Sequence, residues 1–153
     1  MARYGIQALG STLAAGDTFA TVVADTGGVA LRRLKFYYFR AGFSSTPADQ
    51  AGVITARRTT DEGTNTDVAP VALDFNDGAS LTDAGENHSA EPTYTADSEM
   101  LALALNTKHT VTWYAPPGGE IVTPATASRG LGFELAVITS GTPDIYSTIH
   151  WDE

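Results

Sequence analysis

The sequence predicts an all-β protein, a single antiparallel β-sandwich most simply of jelly-roll type. Three observations predict it. Apolar and polar residues alternate with period 2 from end to end, broken about every 8–12 residues by clusters of Gly, Pro, Asp and Asn. Thr, Ala and Gly stand where a helical surface would carry Lys, Glu and Arg, and Thr favours strands through its branched Cβ. No stretch keeps the 3.6-residue spacing of a convincing amphipathic helix.

The elements follow in order. Arg3 to Leu9 puts Tyr4, Ile6 and Ala8 on one side, and Thr18 to Ala24 continues as a second strand that ends at Asp25-Thr26-Gly27-Gly28. Leu31 to Phe39 is the most aromatic strand, and Phe36-Tyr37-Tyr38-Phe39 puts rings on both faces. Such a strand is either central and covered by two layers, or packs its outer rings on another subunit. After the Ser44-Ser45-Thr46-Pro47 loop, Val53 to Thr60 carries Arg57 and Arg58 to opposite faces.

Short strands such as Val71 to Phe75, joined by acidic surface loops, are expected next, with room for a helical turn around Ser80 to Ala84. Met100 to Leu105 alternates Leu with Ala and suits a central strand. Lys108 to Ala115 is stopped by Pro116-Pro117-Gly118-Gly119. Glu120 to Thr123, Leu131 to Thr139 and Ile145 to Trp151 bring the total to about ten strands.

Composition bounds the function. The 153 residues carry nine Lys plus Arg against eighteen Asp plus Glu, a net charge of −9, with no cysteine. That length suits one domain over residues 1–153, with an acidic, loop-rich region at about 59–99. Without cysteine there is no disulfide scaffold, thiol nucleophile or thiolate zinc site. Excess negative charge repels phosphate backbones, so no nucleic-acid partner is expected. No secretory signal is visible, and the longest apolar run, Met100 to Leu105, falls far short of the ~20 residues that cross a bilayer, so no membrane partner is expected either.

No constellation of catalytic residues stands out. Asp74-Phe75-Asn76-Asp77-Gly78 is the nearest approach to a hard-cation loop, but it lacks the alternate-residue ligand spacing and reads as a turn. Asp61 with Glu62, or Glu91 with Glu99, would need rigid strands beneath them to act as an acid–base pair. Gly130-Leu131-Gly132, followed by strand formers, signals close backbone packing or a bulge and not a dinucleotide fingerprint. His88, His109 and His150 lack metal-ligand spacing, and no metal or cofactor is expected.

Charge is segregated. Seven of the nine cations precede residue 59, whereas Thr59 to Thr107 holds ten acids and no Lys or Arg. If the strands bearing Arg32, Arg33, Lys35, Arg57 and Arg58 are neighbours, they form a basic patch, which serves either to deter edge aggregation or to dock an acidic surface.

Several phrases resemble a family of small virion structural proteins of tailed bacteriophages, of the capsid cement or decoration type. They are Leu13-Ala14-Ala15-Gly16-Asp17-Thr18, Thr46-Pro47-Ala48-Asp49, Pro70-Val71-Ala72-Leu73-Asp74, Glu91-Pro92-Thr93-Tyr94-Thr95, the stretch Trp113 to Glu120, and Pro124-Ala125-Thr126-Ala127. The resemblance implies a non-enzymatic jelly-roll or related sandwich that needs no cofactor. It implies a homotrimer made in the host cytoplasm and seated outside an assembled shell, where it binds the major capsid protein and ties capsomers together.

Charge segregation then assigns the shell contact to Arg3, Tyr4, Arg32, Arg33 and Lys35, and the outward aromatics assign the self contact to Phe36, Tyr37, Tyr38 and Phe39. The competing expectation is a carbohydrate- or host-surface-binding module, with Tyr94, Tyr114 or Trp151 stacked on sugars.

Overall fold

The computed structural model describes all residues except 26, 29 and 45–47. The tip of the Asp25–Gly28 turn and most of the Ser44–Pro47 loop therefore lie outside the described residues. Twelve strands run through the rest: β1 (Arg3–Gly10), β2 (Asp17–Ala24), β3 (Lys35–Phe43), β4 (Ala51–Asp61), β5 (Thr64–Asp67), β6 (Val71–Ala72), β7 (Thr82–Ala90), β8 (Thr93–Asn106), β9 (Thr110–Tyr114), β10 (Ile121–Val122), β11 (Gly130–Ile138) and β12 (Ile145–Asp152). No helix is present among the described residues.

The strands form two antiparallel sheets packed face to face, a β-sandwich. The front sheet has the order β6-β1-β12-β3, with β9 and β10 paired to different stretches of the far edge of β3. The back sheet has the order β5-β7-β2-β11-β4-β8. From β1 to β4 the chain changes sheet at every connection, and it does so again from β10 to β12. With β5, β6 and β7 set aside, β1-β12-β3-β9 faces β2-β11-β4-β8. β5, β6 and β7 extend both sheets on one side, β6 beside β1 and β7 beside β2, while β10 stays on β3.

Rings fill the space between the sheets. Phe39 of the front sheet and Phe133 of the back sheet stack at 4.9 Å with their planes 7° apart. Phe19 lies 6.4 Å from both, and Phe36 lies 6.3 Å from Trp151. All five are at least 98% buried. Each such ring contributes on the order of 2–3 kcal/mol through burial, more where rings also pair favourably.

Close approach explains the two glycines of β11. A Cβ on Gly130 would sit 2.0 Å from the Val22 carbonyl oxygen, and one on Gly132 would sit 2.5 Å from the Tyr94 hydroxyl. The expectation of close backbone packing at Gly130-Leu131-Gly132 thus holds. In the Pro-Pro-Gly-Gly turn, Gly118 has φ +81° and Gly119 N donates to the Pro116 carbonyl at 2.8 Å, which is type II turn chemistry.

Three expectations change. The strand placed at Leu31–Phe39 begins only at Lys35, so Arg32 and Arg33 lie in the loop before it. The region at 59–99 is mostly strand and not loop. Asp61, Asp67, Asp83, Glu86, Asp97 and Glu99 occupy exposed or half-buried strand positions, and such positions tolerate charge without spoiling the ladder. The turn allowed around Ser80 to Ala84 is extended chain leading into β7, because Thr82, Asp83 and Ala84 pair with Ala24, Val23 and Val22. Gly130→Ala should lower the melting temperature by several degrees, since the new methyl meets backbone and not a movable side chain. Gly141→Ala, which meets no atom within 4 Å but has φ +78°, is the milder comparison in the same thermal scan.

Candidate docking face

β1, β3, β9 and β12 together contain three cations, Arg3, Lys35 and Arg40, against one carboxylate, Asp152. On a chain of net −9 this makes the front sheet the basic side of the sandwich. Register lines up the charged rungs, with Arg3 opposite Asp152 on one side and Lys35 opposite it on the other. Arg3 Nε lies 3.6 Å from Asp152 Oδ1, an ion pair beyond hydrogen-bond reach. Burial raises the Asp152 pKa, while Arg3 and Lys35 oppose that shift.

A bulge shapes the centre of this face. Tyr38 pairs with His150 and Phe36 with Trp151, so Tyr37 is the extra residue of β3. Alternation is broken at that point, and two consecutive tyrosines turn outward while Phe36 and Phe39 both turn in. His150 packs 4.7 Å from Tyr38 and 6.1 Å from Tyr37, and Tyr38 packs 4.9 Å from Tyr114. Gly5 makes room for the imidazole, because a Cβ there would lie 2.7 Å from His150 Cδ2. Burial holds the His150 pKa below its usual value, so the imidazole is a neutral ring at physiological pH.

The self-contact expectation therefore divides. Tyr37 and Tyr38 belong to the outer face, whereas Phe36 and Phe39, each 1% exposed, are core residues and cannot touch a partner. The shell-contact set divides too. Arg32 and Arg33 are exposed, and Arg3 and Lys35 flank Asp152, but Tyr4 is 3% exposed. Its ring packs 6.4 Å from Trp151, and its hydroxyl donates to the Gly78 carbonyl at 3.0 Å. The basic patch drawn from Arg32, Arg33, Lys35, Arg57 and Arg58 does not form as expected, because β3 and β4 belong to opposite sheets. Of the three rings considered for sugar stacking, Trp151 is fully buried, Tyr94 is half-buried on the back sheet, and Tyr114 is 69% exposed on the front.

Sequence reasoning missed Arg40, Tyr146 and His150 as members of this face. Alternation along Ile145 to Trp151 separated Tyr146, Thr148 and His150 from the buried set, but only the pairing of β12 with β3 joins them to Tyr38.

A second polar cluster lies on the outside of the back sheet. Tyr94 crosses Gly132 and its hydroxyl lies 2.6 Å from Thr18 Oγ1, while the Arg57 guanidinium sits 4.4 Å above its ring. Arg57 also donates to Glu134 at 3.0 Å, Thr18 N donates to Glu91 at 3.0 Å, and His88 Nε2 lies 3.2 Å from Thr21 Oγ1. These contacts fasten the end of β7 and the start of β8 over β2 and β11, which is why β2 is buried on both faces. The carboxylates weighed in the sequence as acid–base pairs have other partners: Glu91 binds Thr18, and Asp61 accepts from Gly63 N at 2.9 Å. In the Asp74 turn, Asp74 Oδ1 accepts from Asn76 N at 2.9 Å and Asp77 Oδ2 from Arg3 N at 3.2 Å.

Compared with known protein families, curated proteins and solved structures, the chain matches none of them. No helix among the described residues is long and apolar enough to cross a membrane.

Burial lowers the His88 pKa to about 4 from an unfolded value near 6.5. Between those values the unfolded chain binds more protons, so His88 makes the protein lose stability as pH falls from 6.5 to 4 and adds no further loss below. His88→Gln should flatten that part of the profile. Wild-type and variant urea-unfolding curves that stay parallel from pH 7 to pH 4 would count against this assignment.

Proposed function

We propose that the chain is a virion structural protein of the capsid cement type, which binds the outside of an assembled phage shell as a homo-oligomer and stabilises it by bridging capsomers. The observation that carries this reading is the front face: outward tyrosines and a neutral histidine in ring contact, on strands with three cations and one carboxylate, in an otherwise acidic chain. Aromatic, amphipathic surface with few acids is the composition of protein–protein contacts and not of free solvent-facing sheet.

The strand order supports the jelly-roll form of the fold. β1-β12-β3-β9 against β2-β11-β4-β8 is the pairing of a doubled Greek key, the architecture of many capsid domains, and β5 to β7 are an insertion within it.

Function of this kind needs no chemistry at the contact. Each copy's bond to the shell can be weak, because copies held at fixed spacing raise one another's effective concentration to the mM range. The exposed Arg32-Arg33 loop supplies the shell contact, where an acidic capsomer surface would steer and register the docking.

A second reading is favoured by one observation. Tyr114 is 69% and Tyr146 57% exposed on a face that also offers Gln7, Thr110 and Thr148, a set that suits stacking and hydrogen bonding to a sugar. A glycan array separates the two readings, since a cement protein leaves it blank.

The double charge reversal Arg32→Glu with Arg33→Glu should cut occupancy on purified shells at least about tenfold and lower the temperature at which shells open. Full occupancy of the double variant would overturn the shell contact.

A further inference from the structure

Phe75 is not part of the hydrophobic core. Its side chain is fully exposed, at 102%, yet the turn that carries it is tied down on both flanks. Leu73 N donates to the Arg3 carbonyl at 2.8 Å, Asp77 N to the Asp74 carbonyl at 3.0 Å, and Tyr4 Oη to the Gly78 carbonyl at 3.0 Å. Asp74 and Asp77 are themselves held, by Asn76 N and Arg3 N. A ring presented on a preorganised turn loses little entropy on docking, which is what an interface anchor requires. Each flanking carboxylate keeps lone pairs beyond those used within the turn, so the anchor is an aromatic ring between two negative charges.

Its complement lies elsewhere on the same molecule. Arg40 opens onto a cleft of about 370 Å³ lined also by Gln7, Thr110, Tyr146 and Thr148, with no acid among the lining residues. Among the described residues Arg40 has no carboxylate within 4.0 Å. Tyr38, two residues before it, and Tyr114, paired with Tyr38, extend the aromatic surface beside it.

We propose that the Phe75 turn of one copy docks in the Arg40 cleft of a second copy, with the ring against the tyrosines and Asp74 or Asp77 on the guanidinium. Charge complementarity within the one chain argues for a second copy as the occupant. Ten of its eighteen acids fall between Thr59 and Thr107, a stretch with no Lys or Arg, while the front strands hold three cations to one acid. The turn sits beside the Arg3 rung and the cleft at the Gln7 rung, four residues and about 13 Å along the sheet.

Turn and cleft share no lining residue. The contact thus joins two different patches, and repeated head-to-tail it closes into a ring when the rotation permits. The inference deepens the homo-oligomer part of the reading above and does not depend on the shell.

The test uses two single variants, Phe75→Ala and Arg40→Glu, with Arg40→Gln as a gentler replacement should the charge reversal fail to fold. Both positions are exposed, so unchanged melting curves are expected. Each variant alone should weaken self-association at least about tenfold by sedimentation. Mixed in equal amounts they should recover a one-to-one dimer that grows no further. The Phe75→Ala copy keeps a working cleft and the Arg40→Glu copy a working turn, and only that one contact can form.

A monomeric wild type, variants that still assemble, or a mixture that stays monomeric overturns the proposal. So does Phe75→Ala that loses shell occupancy while its self-association is unchanged, since the turn would then serve the shell. A wild-type oligomer that ignores shells leaves this contact standing and removes the cement reading instead.

Discussion

Phe39 and Phe133 stack across the middle of the sandwich, one ring from each sheet, and the outer face of the front sheet is organised around that contact. For Phe39 to point inward, every second residue of β3 must do so, which would turn Tyr37 inward and send Tyr38 and Phe36 outward. Phe36 is equally committed to the core through Trp151. Two inward residues three apart cannot both be met by an unbroken strand, and the bulge at Tyr37 resolves the conflict by adding a residue. The paired outward tyrosines are thus a consequence of core packing, and they give the front sheet an aromatic outer surface.

A similar economy holds on the back sheet, where coverage and not exposure is the theme. β2 is buried on both faces because His88 of β7, Glu91 of the β7–β8 connection and Tyr94 of β8 reach across it. Gly132 is what lets Tyr94 lie flat, and Arg57 then bridges the ring to Glu134. Half-buried charges of this kind hold segments in register more than they add net stability, because desolvation offsets much of the attraction. The insertion therefore acts as a fitted cover on one sheet and, through β6 and the Phe75 turn, as a projection from the other.

The two sides of the molecule consequently carry different chemistry. Solvent-facing acids keep the insertion soluble and repel phosphate backbones, whereas the front strands are short of acid and rich in rings. In the proposed cement role that division helps, since like-charged acidic surfaces discourage stacking in any other orientation.

By itself the sequence determined the fold class, eight of the strands to within a few residues, and the segregation of charge. Period-2 alternation and turn chemistry are local, and they survive any arrangement of the strands. It also marked Tyr37 and Tyr38, but it could not separate them from Phe36 and Phe39, because a bulge is set by the partner strand. Tertiary structure alone decided that Arg57 and Arg58 sit across the core from Lys35, that Tyr4 is sealed beneath Gly78, and that Arg40, His150 and Tyr146 share a face with Tyr38. Each of those facts depends on which strands pair, and pairing joins residues as much as 149 positions apart, as Arg3 and Asp152 are. The acidic stretch looked like loop because its composition is polar. It became strand because β1 and β2 each had a free edge to extend, and backbone hydrogen bonds do not depend on the side chains they carry.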